Sequence, residues 1–152
     1  MSRKLLTPGA GDVQSPGVTE KLEMTQRQRV RSASPYEGLF GFSRAVRRGS
    51  RIAVAGTAPL DANGETVEGD AYEQAIRCLE VILEAVEALG GTRDDVVRTR
   101  IFITDPDDWE AVGRAHGEFF GEIYPAATLV VVRGLLDPRW RVEIEADAEL
   151  ET

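Results

Sequence analysis

The residues that could do chemistry are few, and their spacing sorts them. The chain has one cysteine, Cys78, and one histidine, His116. A single thiol excludes an internal disulfide framework, and a Cys/His zinc site needs about four such ligands. A thiol–imidazole nucleophile could be built only from Cys78 and His116, and both fall on predicted helices. No glycine-rich phosphate motif of the dinucleotide or P-loop kind is present. What remains is carboxylate, arginine, hydroxyl and water, with no cofactor or metal implied. Glu143, Glu145, Asp147 and Glu149 alternate with Val142, Ile144, Ala146 and Ala148, so the four acids share one face of a strand. Glu143 in a cleft could act as a general base toward water; the same alternation also describes a plain polar strand face. Arg100, one strand away, could hold a ligand's anion or pair with Glu143 or Glu145, and a buried pair would lose about 3–5 kcal/mol on removal of one partner. Arg133 is a weaker candidate than Arg100 for holding such an anion. Tyr36 could stack on a ligand or plug a loop, and Thr57 and Thr128 could donate hydroxyl hydrogen bonds or serve only as strand formers. The run Asp105-Pro106-Asp107-Asp108 fits helix-start chemistry better than a cation site. Arg44, Arg47, Arg48 and Arg51 make one basic cluster around a hairpin tip, read as solvated turn charge rather than a phosphate site.

Length and charge narrow the class. The chain has 152 residues, 42% of them hydrophobic, which suits one domain with a core. Its formal net charge of −8 argues against a nucleic-acid or acidic-membrane partner. Residues 1–28 lack an apolar core of the secretory kind and are rich in Gly, Pro, Ser, Thr and Gln. We expect a flexible extension over residues 1–27 and one folded domain over 28–150, in a soluble, cytoplasmic protein with no membrane span.

The elements that must position these groups can be read from periodicity. Residues 28–32 predict a short edge strand, and Ser34-Pro35-Tyr36-Glu37-Gly38 an ordered turn. Strands are expected over Leu39–Val46 and Arg51–Thr57, joined by a hairpin. Asp70 caps a helix whose stripe is Tyr72, Ala75, Leu79, Ile82, Val86 and Leu89, and Gly90-Gly91 stops it. Val96–Thr104 is the next strand. A second helix opens at Asp105-Pro106 with the stripe Trp109, Val112, His116, Phe119 and Ile123. Ala127–Val132 and Arg141–Glu149 are the last strands.

The order β-β-β-α-β-α-β-β predicts an α+β domain with two right-handed strand–helix–strand crossovers and both helices on one face of a mixed sheet. Val97, Thr99, Ile101 and Ile103 should then face the helices. The other face would carry Arg98, Arg100, Phe102 and the strand acids. Such a mixture suits a wet subunit interface, so a homo-oligomer with a pocket between subunits is expected.

Several segments, in order, resemble the Rid (YjgF/L-PSP) family. They are Ser34-Pro35-Tyr36, Ala55-Gly56-Thr57-Ala58-Pro59, Val97 through Asp105, Phe119-Phe120, Tyr124-Pro125-Ala126 and Val142 through Ala146, spanning about residues 28–149. The resemblance implies a chorismate-mutase-like fold, a homotrimer and clefts between subunits. It also implies a small-molecule ligand, and hydrolysis of imines and enamines to ammonia and a 2-keto acid. In that family an arginine clamps the substrate carboxylate, a glutamate positions water, and a tyrosine and a Ser-Gly pair complete the cleft. The matching positions are Glu143, Tyr36 and Gly56, with Ala55 in place of the serine. The arginine position is Ala127, followed by Thr128 and an apolar Leu129, so the chain resembles branches that lack the arginine. A non-catalytic ligand-binding trimer is the alternative. Ribonuclease activity, which the L-PSP name suggests, is opposed by the charge and by the single histidine.

Overall fold

A computed structural model of the chain describes residues 26–151. The extension expected over residues 1–27 lies almost wholly outside them. The elements in chain order are β1 (Gln28–Val30), α1 (Pro35–Phe40), β2 (Ala45–Arg48), β3 (Arg51–Thr57), α2 (Ala71–Ala88), β4 (Val96–Ile103), α3 (Trp109–Phe120), β5 (Ala126–Val131) and β6 (Val142–Glu149). Six strands form one sheet in the order β1-β2-β3-β6-β4-β5. Only β4 and β5 are parallel neighbours; the other pairs are antiparallel. The last strand therefore inserts between β3 and β4. Those two run in the same direction but do not touch, so the first strand–helix–strand unit is split and only the second joins adjacent strands. Residues of both long helices and of the inner sheet face make one core, in which Leu79, Ile82, Ile103, Val112, Val142 and Ile144 are fully buried.

Helix α2 forms where its stripe predicts. The Asp70 carboxylate accepts the Glu73 N–H at 2.9 Å, satisfying one of the free donors of the first turn. At the other end Gly90 takes φ +88° and the Gly91 N–H returns to the Val86 carbonyl at 2.9 Å. A second stop comes from afar. Arg47 Nη1 donates to the Leu89 carbonyl at 2.7 Å, bringing a cation to the negative end of the helix dipole. Arg47 is thus a helix cap and not solvated turn charge.

Gln74 ties α2 to the loop before β6. Its amide donates to the Val67 and Arg139 carbonyls at 3.2 and 3.0 Å, and its oxygen accepts the Arg141 N–H at 2.8 Å. The side chain is buried, so truncation leaves backbone groups without partners. Gln74→Ala should cost about 1–3 kcal/mol in urea unfolding, with the slope unchanged.

Three expectations about the elements and their faces are also corrected. Pro35 starts a short helix, so the strand expected from Leu39 begins only at Ala45. Proline preorganises a first helical turn, and Gly41 at φ +72° closes it by donating to the Glu37 carbonyl. Val97 does not face the helices. A bulge between Val96 and Arg98 buries Val96 and leaves Val97 49% exposed. Trp109 does not join the second helical stripe either: Pro106–Asp108 form a separate tight turn, and Trp109 opens α3 at 58% exposure. The Asp105 carboxylate accepts the Asp107 N–H at 2.9 Å, which is cap chemistry.

Candidate functional site

The sheet face turned away from the helices carries the candidate groups in rows. Across the β4–β6 register, Phe102 lies beside Glu143, Arg100 beside Glu145 and Arg98 beside Asp147. Across β4–β5, Val130 continues the first row, Thr128 the second and Ala126 the third. Glu143, Arg100 and Thr128 therefore share one face. Ala127 and Leu129 pair with Thr99 and Ile101, which puts them on the opposite, helix-side face. A strand alternates its side chains strictly, so one chain does not bring position 127 and Glu143 into one pocket.

Glu143 is singled out from the other strand acids by β3. A bulge between Val54 and Thr57 breaks the β3–β6 register, and Gly56 lies in it. A Cβ added at Gly56 would stand 3.1 Å from Glu143 Oε2 and 3.2 Å from its Cδ. The glycine thus leaves the volume that the carboxylate occupies. Burial raises the Glu143 carboxyl above its ordinary value; nearby Arg44 pulls it down and Glu145 adds to the rise. Gly56→Ala should displace the carboxylate, which a structure of the variant would show, with little change in melting temperature.

Arg44 holds the other side of that bulge. Only 4% of it is exposed. Its Nη2 donates to the Gly56 carbonyl, while its Nε is buried with no partner among the described residues. Burial lowers the guanidinium's pKa, and Glu37 and then Glu143 oppose that. Glu37 is itself buried and accepts the Ser32 N–H at 3.0 Å together with the Ser32 hydroxyl. Phe42 flanks the arginine, its ring centre 5.9 Å from the guanidinium carbon. Arg44, Glu37 and Phe42 escaped the sequence reading, which placed Arg44 among solvated turn charges. The available signal was Arg44 lying one residue before β2, whose first residue Ala45 is buried, and opposite the small pair Ala55-Gly56.

The remaining candidates have clear places. Arg100 pairs with Glu145 at 3.2 Å and Asp147 at 3.3 Å, and not with Glu143. Tyr36 stacks on Phe40 and meets Trp140 edge-on, each at 6.0 Å between ring centres. Thr57 is fully buried and donates its hydroxyl to the Ala55 carbonyl at 2.8 Å. The register pairs it with Ile144, on the helix side. Cys78 is fully buried, its Sγ 3.9 Å from the Val142 carbonyl, and burial pushes the thiol far up. It is a core residue.

His116 shares a 2.8 Å hydrogen bond with the Thr99 hydroxyl. Burial lowers its pKa. The unfolded chain therefore takes up a proton before the folded one, and stability should fall as pH drops through about 6.5, the unfolded histidine value. Melting temperatures at pH 7.5 and 5.5 for the wild type and His116→Gln would show it: the variant should lose that part of the drop. Among the described residues no group of three or more His, Cys, Asp or Glu is placed to hold a metal ion, and no helix is long and apolar enough to cross a membrane.

The fold and site together define a small single-domain α+β protein whose open sheet face seats one carboxylate against a glycine bulge. The family described as endoribonuclease L-PSP matches residues 33–150. An uncharacterized protein of Streptomyces coelicolor is 42% identical over 121 residues, 80% of this chain and 90% of the relative. A crystal structure of a YjgF/YER057c/UK114 family member from Mycobacterium tuberculosis superposes with a TM-score of 0.75 at 41% identity, covering 82% of this chain and all of that one. That of E. coli TdcF with bound serine gives 0.69 at 29% identity, over 81% and 94%. The chain belongs to this YjgF/Rid/L-PSP family.

Proposed function

We propose that this chain forms a homotrimer and hydrolyses small imine or enamine metabolites in clefts between subunits, in the cytoplasm and without a cofactor. The observation that carries this is the Glu143 carboxylate, seated against Gly56 and made more basic by burial. A general base works best when its pKa approaches the working pH. In the reaction, Glu143 takes a proton as water adds to the imine carbon and the C=N electron pair moves to nitrogen. The proton passes to that nitrogen, giving a carbinolamine; Glu143 then takes the hydroxyl proton and hands it to the amine, the C–N bond breaks as the oxygen pair forms the carbonyl, and ammonia leaves. Thr128 and Tyr36 shape the cleft.

The assembly is supported by the composition of the outer face. Val97 and Val130 are 49% and 41% exposed there, beside Phe102 and the Arg100 network. Position 127 faces away from Glu143 in one chain, so a second copy supplies the only route to a shared cleft. Ala127 offers no cation for a substrate carboxylate. Substrates accepted here therefore need no carboxylate at that point.

The test is ammonia release by the full-length chain from imines generated in situ, across apolar and carboxylate-bearing examples, with light scattering for the mass. Turnover by a species of three times the chain mass is expected. Thermal shifts with the same compounds and no turnover would instead establish the non-catalytic binding reading, which Ala127 and Ala55 favour. Ribonuclease activity finds no support at the basic hairpin: Arg47 is committed to the Leu89 carbonyl and Arg44 is buried. TdcF's bound serine matches the small size of ligand proposed.

A further inference from the structure

A cleft of about 320 Å³ opens between the end of β1 with the segment after it (residues 30–34), the loop after β3 (58–62) and the α2 face at Arg77, Val81 and Ala85. Neither Glu143, Gly56 nor any β5 residue lines it; Arg44, which also donates to the Gly56 carbonyl, is the residue it shares with the reaction site proposed above, and the proposal does not rest on that reading. Its apolar wall includes Val30, Leu60 and Val81; its charged groups are Arg31, Arg44, Asp61, Arg77 and Glu84.

Three of those charges are already committed. Arg77 donates to the Leu60 carbonyl at 2.6 Å and pairs with Glu80 and Glu84 at 3.3 and 3.6 Å. Asp61 accepts the Asn63 and Glu65 N–H groups at 2.8 and 3.0 Å. The other two keep free donors. Arg44, 4% exposed, gives Nη2 to the Gly56 carbonyl, and its buried Nε–H has no acceptor among the described residues. Among the described residues neither it nor the exposed Arg31 makes an ion pair. Glu37 and Glu143 are near enough to support the Arg44 charge, yet neither reaches ion-pair distance, and Glu37 is occupied by Ser32. A buried guanidinium donor without an acceptor is costly, and a carboxylate is the acceptor whose geometry fits it.

We propose that this cleft binds a small carboxylate with a short apolar chain, its anion held by Arg44 and Arg31 and its chain against Leu60 and Val81. It is a second ligand site, on the helix side of the molecule.

The test is a titration of the ¹⁵N-labelled full-length chain with butyrate, with butanol and butylamine as neutral and cationic controls. Saturable shifts at Ser32–Ser34, Ala58–Ala62 and Val81–Ala85 are expected with butyrate alone. Arg44→Gln should weaken binding about tenfold or more, as loss of a charge-assisted bidentate contact does. Because Arg44 is buried, Arg31→Ala gives a second reading on an exposed position, with a severalfold loss and an unchanged melting temperature. Ala33→Trp at the exposed rim should block binding altogether. Absence of saturable butyrate shifts, equal shifts with butanol, or shifts centred on Glu143 and Thr128 without those of the cleft would each overturn the proposal.

Discussion

Glu143→Gln is expected to lower kcat/KM for ammonia release by about 10²–10⁴-fold, the usual contribution of a positioned general base. Glutamine keeps the shape that Gly56 accommodates and cannot take the proton. The same substitution has a stability signature of the opposite sign. Burial raises the Glu143 carboxyl in the folded chain, with Arg44 opposing and Glu145 adding. The folded state therefore binds that proton more tightly than the unfolded one. Ionising the group costs stability as pH rises from the ordinary value of 4.5 through the raised one. At neutral pH Glu143→Gln removes the cost, and the variant should melt at the same temperature or higher. Lost turnover with a retained melting temperature identifies a base; a parallel fall in both identifies a structural residue. The acid limb of the rate profile should likewise lie above the ordinary carboxylate range.

Arg100→Ala separates the free sheet face from a covered one. In a single chain the pairs to Glu145 and Asp147 are partly open, with side-chain exposures of 41%, 32% and 19%. Pairs of that kind contribute at most about 1 kcal/mol. If a second copy covers the face, as proposed, the same pairs lose water, and removing Arg100 leaves two carboxylates buried without a cation. The cost then rises to about 3–5 kcal/mol. Denaturation of Arg100→Ala at a protein concentration where light scattering shows the assembled species is the measurement. A loss below about 1 kcal/mol would leave the face solvent-exposed and end the interface reading.

Local signals carried much of the fold. The α2 stripe and its Asp70 cap follow from 3.6-residue periodicity, and the inner and outer sets of β6 follow from strict alternation. Both depend on neighbours in sequence. The position of β6 between β3 and β4 does not, because its partners lie some forty to a hundred residues away and no local pattern marks them. Leu39 and Phe40 have the composition of a strand, yet Pro35 and Gly41 fix a helical turn around them, and both remain exposed. Alternation alone made Glu143 legible only as one of four acids; the family resemblance singled it out, together with Gly56. The bulge that presents Gly56 to it is a tertiary feature, and so is the space that buries Arg44, a residue type whose composition predicts surface. Each bulge shifted a residue by one position, which is enough to exchange the faces of Val96 and Val97.

The outermost strands bear on how the chain comes to be folded at all. At one edge β1 is three residues long, too short to template much pairing. At the other, β5 offers six residues with Val130 and Val131 about half open, a row of unpaired backbone donors and acceptors that sheets elsewhere shorten, charge or cover. An edge of that length is a risk for every newly made chain until something lies over it. For this protein the cover proposed is another copy of itself, so concentration becomes part of its stability: dilution should lower the unfolding midpoint, and overproduction without assembly should favour sheet-to-sheet aggregation.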